Sequence, residues 1–416
     1  MAQIWFDLKT RSVKLFQVEG LPALILMNMI LGISYSFVLP FTSLFGIDEV
    51  GMSNTEFGVF MTVSAIANVV ISTYMGKMSD GRLSRRTSLL ICAVAAIAGY
   101  TFYAFSRDFY VLLIVSSLLL GVASSAFPLL FALARETLSQ SDLPAQETPF
   151  YMNLFRTFFA LSWTVGPALA SYILIGLGFK GLYLLVAASY AIVIMMLFFL
   201  KSPPAAANQT KTAATEPPVA LNQIIMRPFI LGNLIAFTLV SAAGTIGSMN
   251  LSLFLTKVLH TGQEQVGVAF SIPPIFEIPF MLFFGILAMR IDNKILIRLG
   301  VLFVLLYCSL LWFATSAWEV YAIQILSAAA VSITSGIAIT YFQDFIPNMP
   351  GVATSLYMNT SRIGSLIAYL VFGFASEQYG YRAVFLICVA FAAVSLLLLF
   401  IVGKHQKQEA AASVTT

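Results

Sequence analysis

Charge is what this chain has least of. Only 10% of its 416 residues are Asp, Glu, Lys or Arg, against 59% hydrophobic ones, and the mean hydropathy is +0.92. A water-soluble domain needs a charged surface, so this balance excludes one and makes lipid the solvent for most side chains. Histidine is scarce too. His260 lies in a loop and His405 in the tail, away from any metal-like cluster, so no metal and no cofactor are expected. The three cysteines, Cys92, Cys308 and Cys388, fall inside apolar runs, which argues against a disulfide framework. No Gly-x-x-x-x-Gly-Lys-Ser/Thr loop occurs, which excludes ATP as a direct energy source. Gly176-Leu177-Gly178-Phe179-Lys180-Gly181 satisfies G-x-G-x-x-G, but it reads as an external connector between helices with no strand before it, so the nucleotide reading fails. The basic residues are spread through short connectors without a face to track phosphates, so nucleic acid is excluded despite a pI near 8.9. Residues 1–19 are polar and amphipathic, and the first long apolar run already has membrane-span length, so no cleavable signal is expected. Nothing here suggests an enzyme.

What is present is apolar sequence in long continuous runs. Backbone polar groups in a bilayer must be satisfied internally, which leaves helices or closed barrels, and unalternating runs select helices. Spans of roughly 20 residues are read at about 22–45, 55–76, 87–106, 109–134, 150–175, 181–200, 228–257, 265–289, 295–316, 319–342, 353–375 and 381–402. The expected fold is an all-α polytopic membrane protein with twelve transmembrane helices in two six-helix pseudo-symmetric bundles. Residues 1–200 form the first bundle, 201–227 a Pro/Ala/Thr-rich cytoplasmic linker, 228–403 the second bundle and 404–416 a cytoplasmic tail. Of the 22 Lys and Arg, sixteen fall in connectors on the side of the termini and four (Arg107, Lys180, Lys257, Arg382) on the other. The positive-inside rule therefore puts both termini in the cytoplasm of a bacterial cell, with the chain in its inner membrane.

The halves repeat. Tyr151-Met152-Asn153-Leu154-Phe155-Arg156 opens span five, and Tyr357-Met358-Asn359-Thr360-Ser361-Arg362 opens span eleven. Gly178-Phe179-Lys180-Gly181-Leu182-Tyr183 matches Gly380-Tyr381-Arg382-Ala383-Val384-Phe385 in chemical type, and Gly76 and Gly285 close spans two and eight. Repeated six-helix halves of like orientation are the parallel-repeat plan of one transporter class. After span two, Gly76-Lys77-Met78-Ser79-Asp80-Gly81-Arg82-Leu83-Ser84-Arg85-Arg86 resembles the loop signature of the major facilitator superfamily, with Ser84 in place of its second glycine. An acid at a helix end beside basic residues can latch helices together. Gly76, Asp80, Arg85 and Arg86 are therefore candidate latch residues.

Within that superfamily the chain resembles the bacterial sugar efflux transporters from span one to span twelve. The resemblance is carried by Pro128-Leu129-Leu130-Phe131-Ala132-Leu133-Ala134-Arg135-Glu136, Ser162-Trp163-Thr164-Val165-Gly166-Pro167, Glu277-Ile278-Pro279, and Tyr341-Phe342-Gln343-Asp344 through Ala353-Thr354. It implies a secondary transporter that exports small sugars or sugar-like solutes in exchange for protons. The arginine that many proton antiporters of the superfamily carry in span four is replaced here by the stretch Ser116-Ser117-Leu118, which removes that coupling route.

Glu277 is the one acid placed deep within a span. A charge at mid-membrane costs about 2.5–3.5 kcal/mol even on lenient scales, so desolvation favours the neutral acid, which suits a proton carrier or a sugar-binding group. Pro273, Pro274 and Pro279 surround it and leave carbonyls unpartnered, as cavity-lining broken helices do. Asn153, Arg156, Ala160, Trp163 and Pro167 share one helical face, and Asn359, Arg362, Leu366, Tyr369 and Gly373 hold the equivalent positions of the other half. Polar residues beneath an aromatic, twice, suggest walls of a central polar cavity around which the two halves rock. Trp163 could stack on a sugar ring or simply pack. Asn28 with Tyr35 on span one, Asn233 on span seven and Gln324 on span ten add polar positions to a lined path. Ser117, Gly121, Ser124 and Pro128 read as close helix packing. The expected partners are a sugar, protons and the lipid bilayer, for a protein acting as a monomer. A multidrug exporter of the same fold stays open because of the 36 phenylalanines. A non-transporting sensor would need neither a mid-membrane acid nor duplicated polar faces.

Overall fold

A computed structural model of the chain describes residues 16–81, 83–141, 143–144, 147–200, 225–346 and 349–414, with side chains except at 149, 350 and 404–414. The expected linker 201–227, apart from its last three residues, and Arg82 of the loop signature lie outside these.

Among the described residues ten helices are long and apolar enough to cross a bilayer. Two of them are double. Phe150–Phe199 has 50 residues and Gly351–Gly403 has 53. At about 1.5 Å per residue each exceeds twice the roughly 30 Å hydrocarbon thickness. Each is broken at one residue, Gly178 (φ 63°, ψ −174°) or Gly380 (φ 75°, ψ 164°). Only glycine adopts that conformation without strain. These are the matched glycines of the two repeats, and each reverses the chain between two crossings. The result is twelve spans. The stretch 176–181 is thus the turn between two helices, with helical residues on both sides of Gly178.

Ordinary cap chemistry sets the helix starts between spans. Ser84 Oγ accepts from the Thr87 N–H, Asp108 Oδ1 from Val111 N–H, and Asp292 Oδ1 from Lys294 N–H. Ser316 and Glu319 form a reciprocal capping box before span ten. Span four is two helices, Phe109–Ala123 and Ala126–Ser139. The break at Ser124 and Ser125 falls four residues before Pro128, which has no N–H to bond the Ser124 carbonyl.

The repeat extends to irregular backbone. Span one, from Leu21, ends in a π-helical turn at Phe45–Glu49, and span seven, from Pro228, in one at Phe254–Val258. Just beyond, Gly51 (φ 81°) and His260 (φ 53°) take the left-handed conformation. Each of these pairs is 209 positions apart, the offset that relates Gly76 to Gly285.

The described residues divide into two compact units, 16–41 with 63–200, and 42–62 with 225–414. In the first, spans one and five pack closely: a Cβ on Gly32 would lie 2.8 Å from Ser162 Cβ, and one on Gly166 would overlap the Ser36 side chain. Gly121 meets Ile71 and Asn68 of span two at similar range, so the small-residue face of span four is a packing face. The core of the second unit centres on Phe237, Phe342, Tyr341, Tyr357, Ile333 and Leu296. Outward faces keep large apolar side chains exposed, among them Phe199 at 83%, Tyr172 at 69% and Leu282 at 67%. Water would not tolerate such surfaces; lipid does.

Candidate functional site

In the loop after span two, Arg85 lies between two carboxylates. Its Nη2 stands 3.1 Å from Asp80 Oδ1 and its Nε 3.1 Å from Glu136 Oε2. Glu136 closes span four, so one guanidinium ties spans two, three and four. Arg86 reaches the Phe198 carbonyl at 3.3 Å. Of the four candidate latch residues, Asp80 and Arg85 are thus joined directly. Gly76 has open space where a side chain would stand. The second half repeats the connection with an amide in place of the guanidinium, Asn293 Nδ2 donating to Asp344 Oδ2 at 3.2 Å.

Asn28 is fully buried, and its Nδ2 donates to the Phe155 carbonyl at 2.6 Å. Its Oδ1 accepts no bond among the described residues. Ser162 Oγ donates to the Met29 carbonyl at 3.0 Å. This side of span five binds span one. Asn153 and Arg156 are exposed on a different face. They do not share the exposed apolar stripe Leu161, Val165, Leu169 and Tyr172. Tyr35 packs edge-on against Phe159 at 6.3 Å, and Trp163 is half-buried.

The second unit follows the same plan. Span eleven sits against span seven through the facing pairs Ser241–Ser361 (3.4 Å) and Thr245–Ser365 (3.3 Å). Asn359 and Arg362 are exposed while their neighbours Tyr357, Thr360 and Gly364 are buried. Tyr369 and Leu366 are half-buried. Asn233 is engaged inside the unit: its Nδ2 donates to the Phe229 carbonyl at 2.8 Å and its Oδ1 accepts from the Tyr341 hydroxyl at 2.8 Å. Gln324 is buried, and its Oε1 finds no partner among the described residues. Glu277 is half-buried among Pro273, Pro274 and Pro279, and Ser332 of span ten donates to its backbone carbonyl at 3.1 Å.

The structure thus separates the candidates. Asn153, Arg156, Asn359 and Arg362 stand on accessible faces. Asn28, Asn233 and Gln324 lie inside the packing of their own unit.

Two clusters escaped the sequence reading. Tyr100, Tyr103, Tyr183 and Tyr190 gather between spans three and six, with ring centroids 5.3–6.1 Å apart for the pairs Tyr103–Tyr183, Tyr100–Tyr190 and Tyr100–Tyr183. Phe127, Phe131, Phe155 and Phe159 interlock between spans four and five at 4.4–5.0 Å. An offset of three or seven between tyrosines in apolar runs was the available signal, but it is the signal of any packed helix face.

The fold and these faces define a twelve-span helical membrane protein made of two homologous halves. The Major Facilitator Superfamily model matches residues 24–260 and 234–415, and the chain belongs to that superfamily. It is 34% identical to a putative sugar efflux transporter of Deinococcus radiodurans, over 87% of this chain and 92% of that one. It is 32% identical to sugar efflux transporter A of Dickeya chrysanthemi (89% and 92% covered) and 22% identical to multidrug resistance protein MdtG of Proteus mirabilis (88% and 91%). Two crystal structures of the nucleoside transporter NupG share the fold, with TM-scores of 0.78 and 0.75 at 15% and 17% identity, covering 92% of this chain and 98% of theirs.

Proposed function

We propose that the protein is a secondary transporter that exports small sugars or sugar-like solutes across the bacterial cytoplasmic membrane by alternating access, in exchange for protons. The observation that carries this reading is the Asn-x-x-Arg pair held at equivalent places in spans five and eleven, both exposed inside long membrane helices. An intramembrane arginine is costly to keep, and its five donors beside an amide suit a ligand rich in hydroxyls. The relatives named for sugar efflux cover about nine-tenths of the chain and support the same substrate class.

Asn153, Arg156, Asn359 and Arg362 are the proposed sugar-binding groups, with Tyr35 and Trp163 as flanking aromatics. Asn28, Asn233 and Gln324 support these faces through the packing of spans one, seven and ten. Glu277 is the proposed proton-coupling group: three prolines take N–H donors out of its otherwise continuous helix, and Ser332 donates to its backbone carbonyl. The Asp80–Arg85–Glu136 cluster is the proposed cytoplasmic latch, with both termini on its side of the membrane and the monomer as the working unit.

The multidrug reading is favoured by one observation, the interlocked phenylalanines at 127, 131, 155 and 159. Uptake of labelled lactose or glucose, and of a cationic dye, into inside-out vesicles under an imposed proton gradient separates the two. Sugar accumulation that the Glu277→Gln variant loses is the expected result. Dye accumulation without sugar accumulation sinks the sugar reading, and sugar accumulation retained by Glu277→Gln removes the acid from proton coupling.

A further inference from the structure

In the second unit an arginine is built into the crease between two spans. Span nine is the helix Asn293–Phe313, and Arg298 stands about 7–8 Å inside its start at 1.5 Å per residue. The exposed apolar row of that helix runs through Ile295, Leu302, Leu306 and Leu310, and helical periodicity puts Arg298 at the edge of this row. Its side chain reaches span twelve. Nη2 donates to the Leu399 carbonyl at 2.9 Å, and the guanidinium carbon lies 4.6 Å from the centre of the Phe400 ring. Gly403 completes the seat, because a Cβ there would fall on Nη2. A carbonyl, a ring face and a missing side chain, all from one turn at the end of span twelve, thus hold one guanidinium in place.

The other side of span twelve is closed by span seven. Ser395 Oγ donates to the Ala236 carbonyl at 2.8 Å, and a Cβ on Gly232 would overlap Val402. The crease with span nine lies on the outward side, where Phe400 is 47% exposed. The first unit carries a similar arrangement. Arg86, at the start of span three, donates to the Phe198 carbonyl at the end of span six, and Phe198 and Phe400 are 202 positions apart, the offset that relates Gly178 to Gly380.

Stapling two helices needs one of the five N–H donors of an arginine. Among the described residues the other donors of Arg298 have no hydrogen-bond partner, and no carboxylate pairs with its charge. Asp292, the acid nearest in sequence, is turned to the helix start, where its Oδ1 accepts from the Lys294 N–H at 2.8 Å. One turn before Arg298 and on the same side, Lys294 adds a second half-buried cation.

We propose that Arg298 and Lys294 bind the phosphodiester of an anionic phospholipid, whose acyl chains lie along the exposed apolar rows of spans nine and twelve. A guanidinium presents parallel N–H donors that match two phosphate oxygens, and the Leu399, Phe400 and Gly403 seat fixes its direction. A depth of one to two turns from the end of a span is where headgroups meet acyl chains. A dissolved phosphate would gain the charge contact but not the apolar rows on either side, so a lipid, which carries both parts, fits the whole site. In the proposed orientation this end faces the cytoplasmic leaflet, whose anionic lipids attract such basic groups. The inference stands whatever solute the protein carries.

The test titrates the purified full-length protein in detergent with phosphatidylglycerol, phosphatidylcholine or inorganic phosphate and reads retained lipid by native mass spectrometry. Phosphatidylglycerol is expected to bind about fivefold or more tighter than phosphatidylcholine. Arg298→Gln is expected to weaken it about tenfold or more, the loss of charge-assisted hydrogen bonds. Arg298→Lys, which keeps the charge and loses the fork, is expected to fall between. Lys294→Gln is expected to cost about two- to fivefold. Its side chain ties no helices together, so this variant decides the matter should Arg298→Gln fail to fold. Arg135→Gln, at an exposed arginine of the first unit, is expected to change nothing. Equal binding of the two lipids overturns the proposal, as does unchanged binding in Arg298→Gln and Lys294→Gln, or an equal loss in Arg135→Gln. Displacement of the lipid by inorganic phosphate at matched ionic strength makes this a site for soluble anions and overturns the lipid assignment.

Discussion

Gly364 offers a sharp test of how span eleven is held. It is buried against span seven, and a Cβ built on it would lie 2.7 Å from the Thr238 carbonyl oxygen, 2.9 Å from Ser241 Cβ and 3.0 Å from the Ala242 nitrogen. Two of those three atoms are backbone and cannot swing aside. Gly364→Ala must therefore push the two helices apart by a few tenths of an ångström along the Ser241–Ser361 and Thr245–Ser365 contacts. Overpacking of this kind costs about 1–3 kcal/mol, against a gain of about 0.5–1 kcal/mol from replacing an interior helical glycine. The net expectation is a loss of about 0–2.5 kcal/mol. Gly244 of span seven, with open space around its would-be Cβ, is the matched control. Gly244→Ala keeps the propensity gain without the clash and should be neutral or slightly stabilising. Thermal denaturation of the purified protein in detergent, followed by loss of the monodisperse peak, reads both. Because Arg362 lies two residues from Gly364, the shifted helix should also raise KM for sugar. Equal midpoints for Gly364→Ala and Gly244→Ala would refute the packing argument.

Further outcomes follow from the same geometry. Tyr341→Phe leaves the buried Asn233 Oδ1 without its donor and should cost about 1–3 kcal/mol, read by the same denaturation assay. Glu136→Gln removes one of the two carboxylates on Arg85; the pair is partly exposed, so stability should fall by less than about 1 kcal/mol. Transport should fall far more than stability if the cluster acts as a latch, and vesicle uptake beside a melting curve separates the two. Arg156→Lys and Arg362→Lys keep the charge but lose the planar fork, so each should raise KM for sugar with kcat less affected.

The twelve crossings were legible because lipid demands long apolar runs and little else. The repeat was legible too, since Gly178 and Gly380 sit in matched strings and both prove to be the left-handed residues that reverse the chain. The break in span four was not read: Pro128 reads with Ser117, Gly121 and Ser124 as a small-residue packing face, and the same residue that packs also removes the N–H the Ser124 carbonyl would need. Partners were not legible. Glu136 lies 51 positions from Arg85, and Asp48 lies 209 from Lys257; only the folded chain brings such residues together. Asn233 and Arg156 looked alike as polar residues on apolar helices. One turns into a core and bonds Tyr341 while the other stays exposed, and helical periodicity alone does not say which face meets a neighbour.

The central claim is that duplicated Asn-x-x-Arg faces handle a sugar on its way out of the cell. Its most direct test is saturable accumulation of labelled sugar in inside-out vesicles by the unsubstituted protein, Arg156→Gln and Arg362→Gln. The account predicts accumulation by the unsubstituted protein and a KM raised about tenfold or more in each variant, the loss of a charge-assisted hydrogen bond worth about 1.5–3 kcal/mol. Sugar accumulation with an unchanged KM in both variants would contradict it.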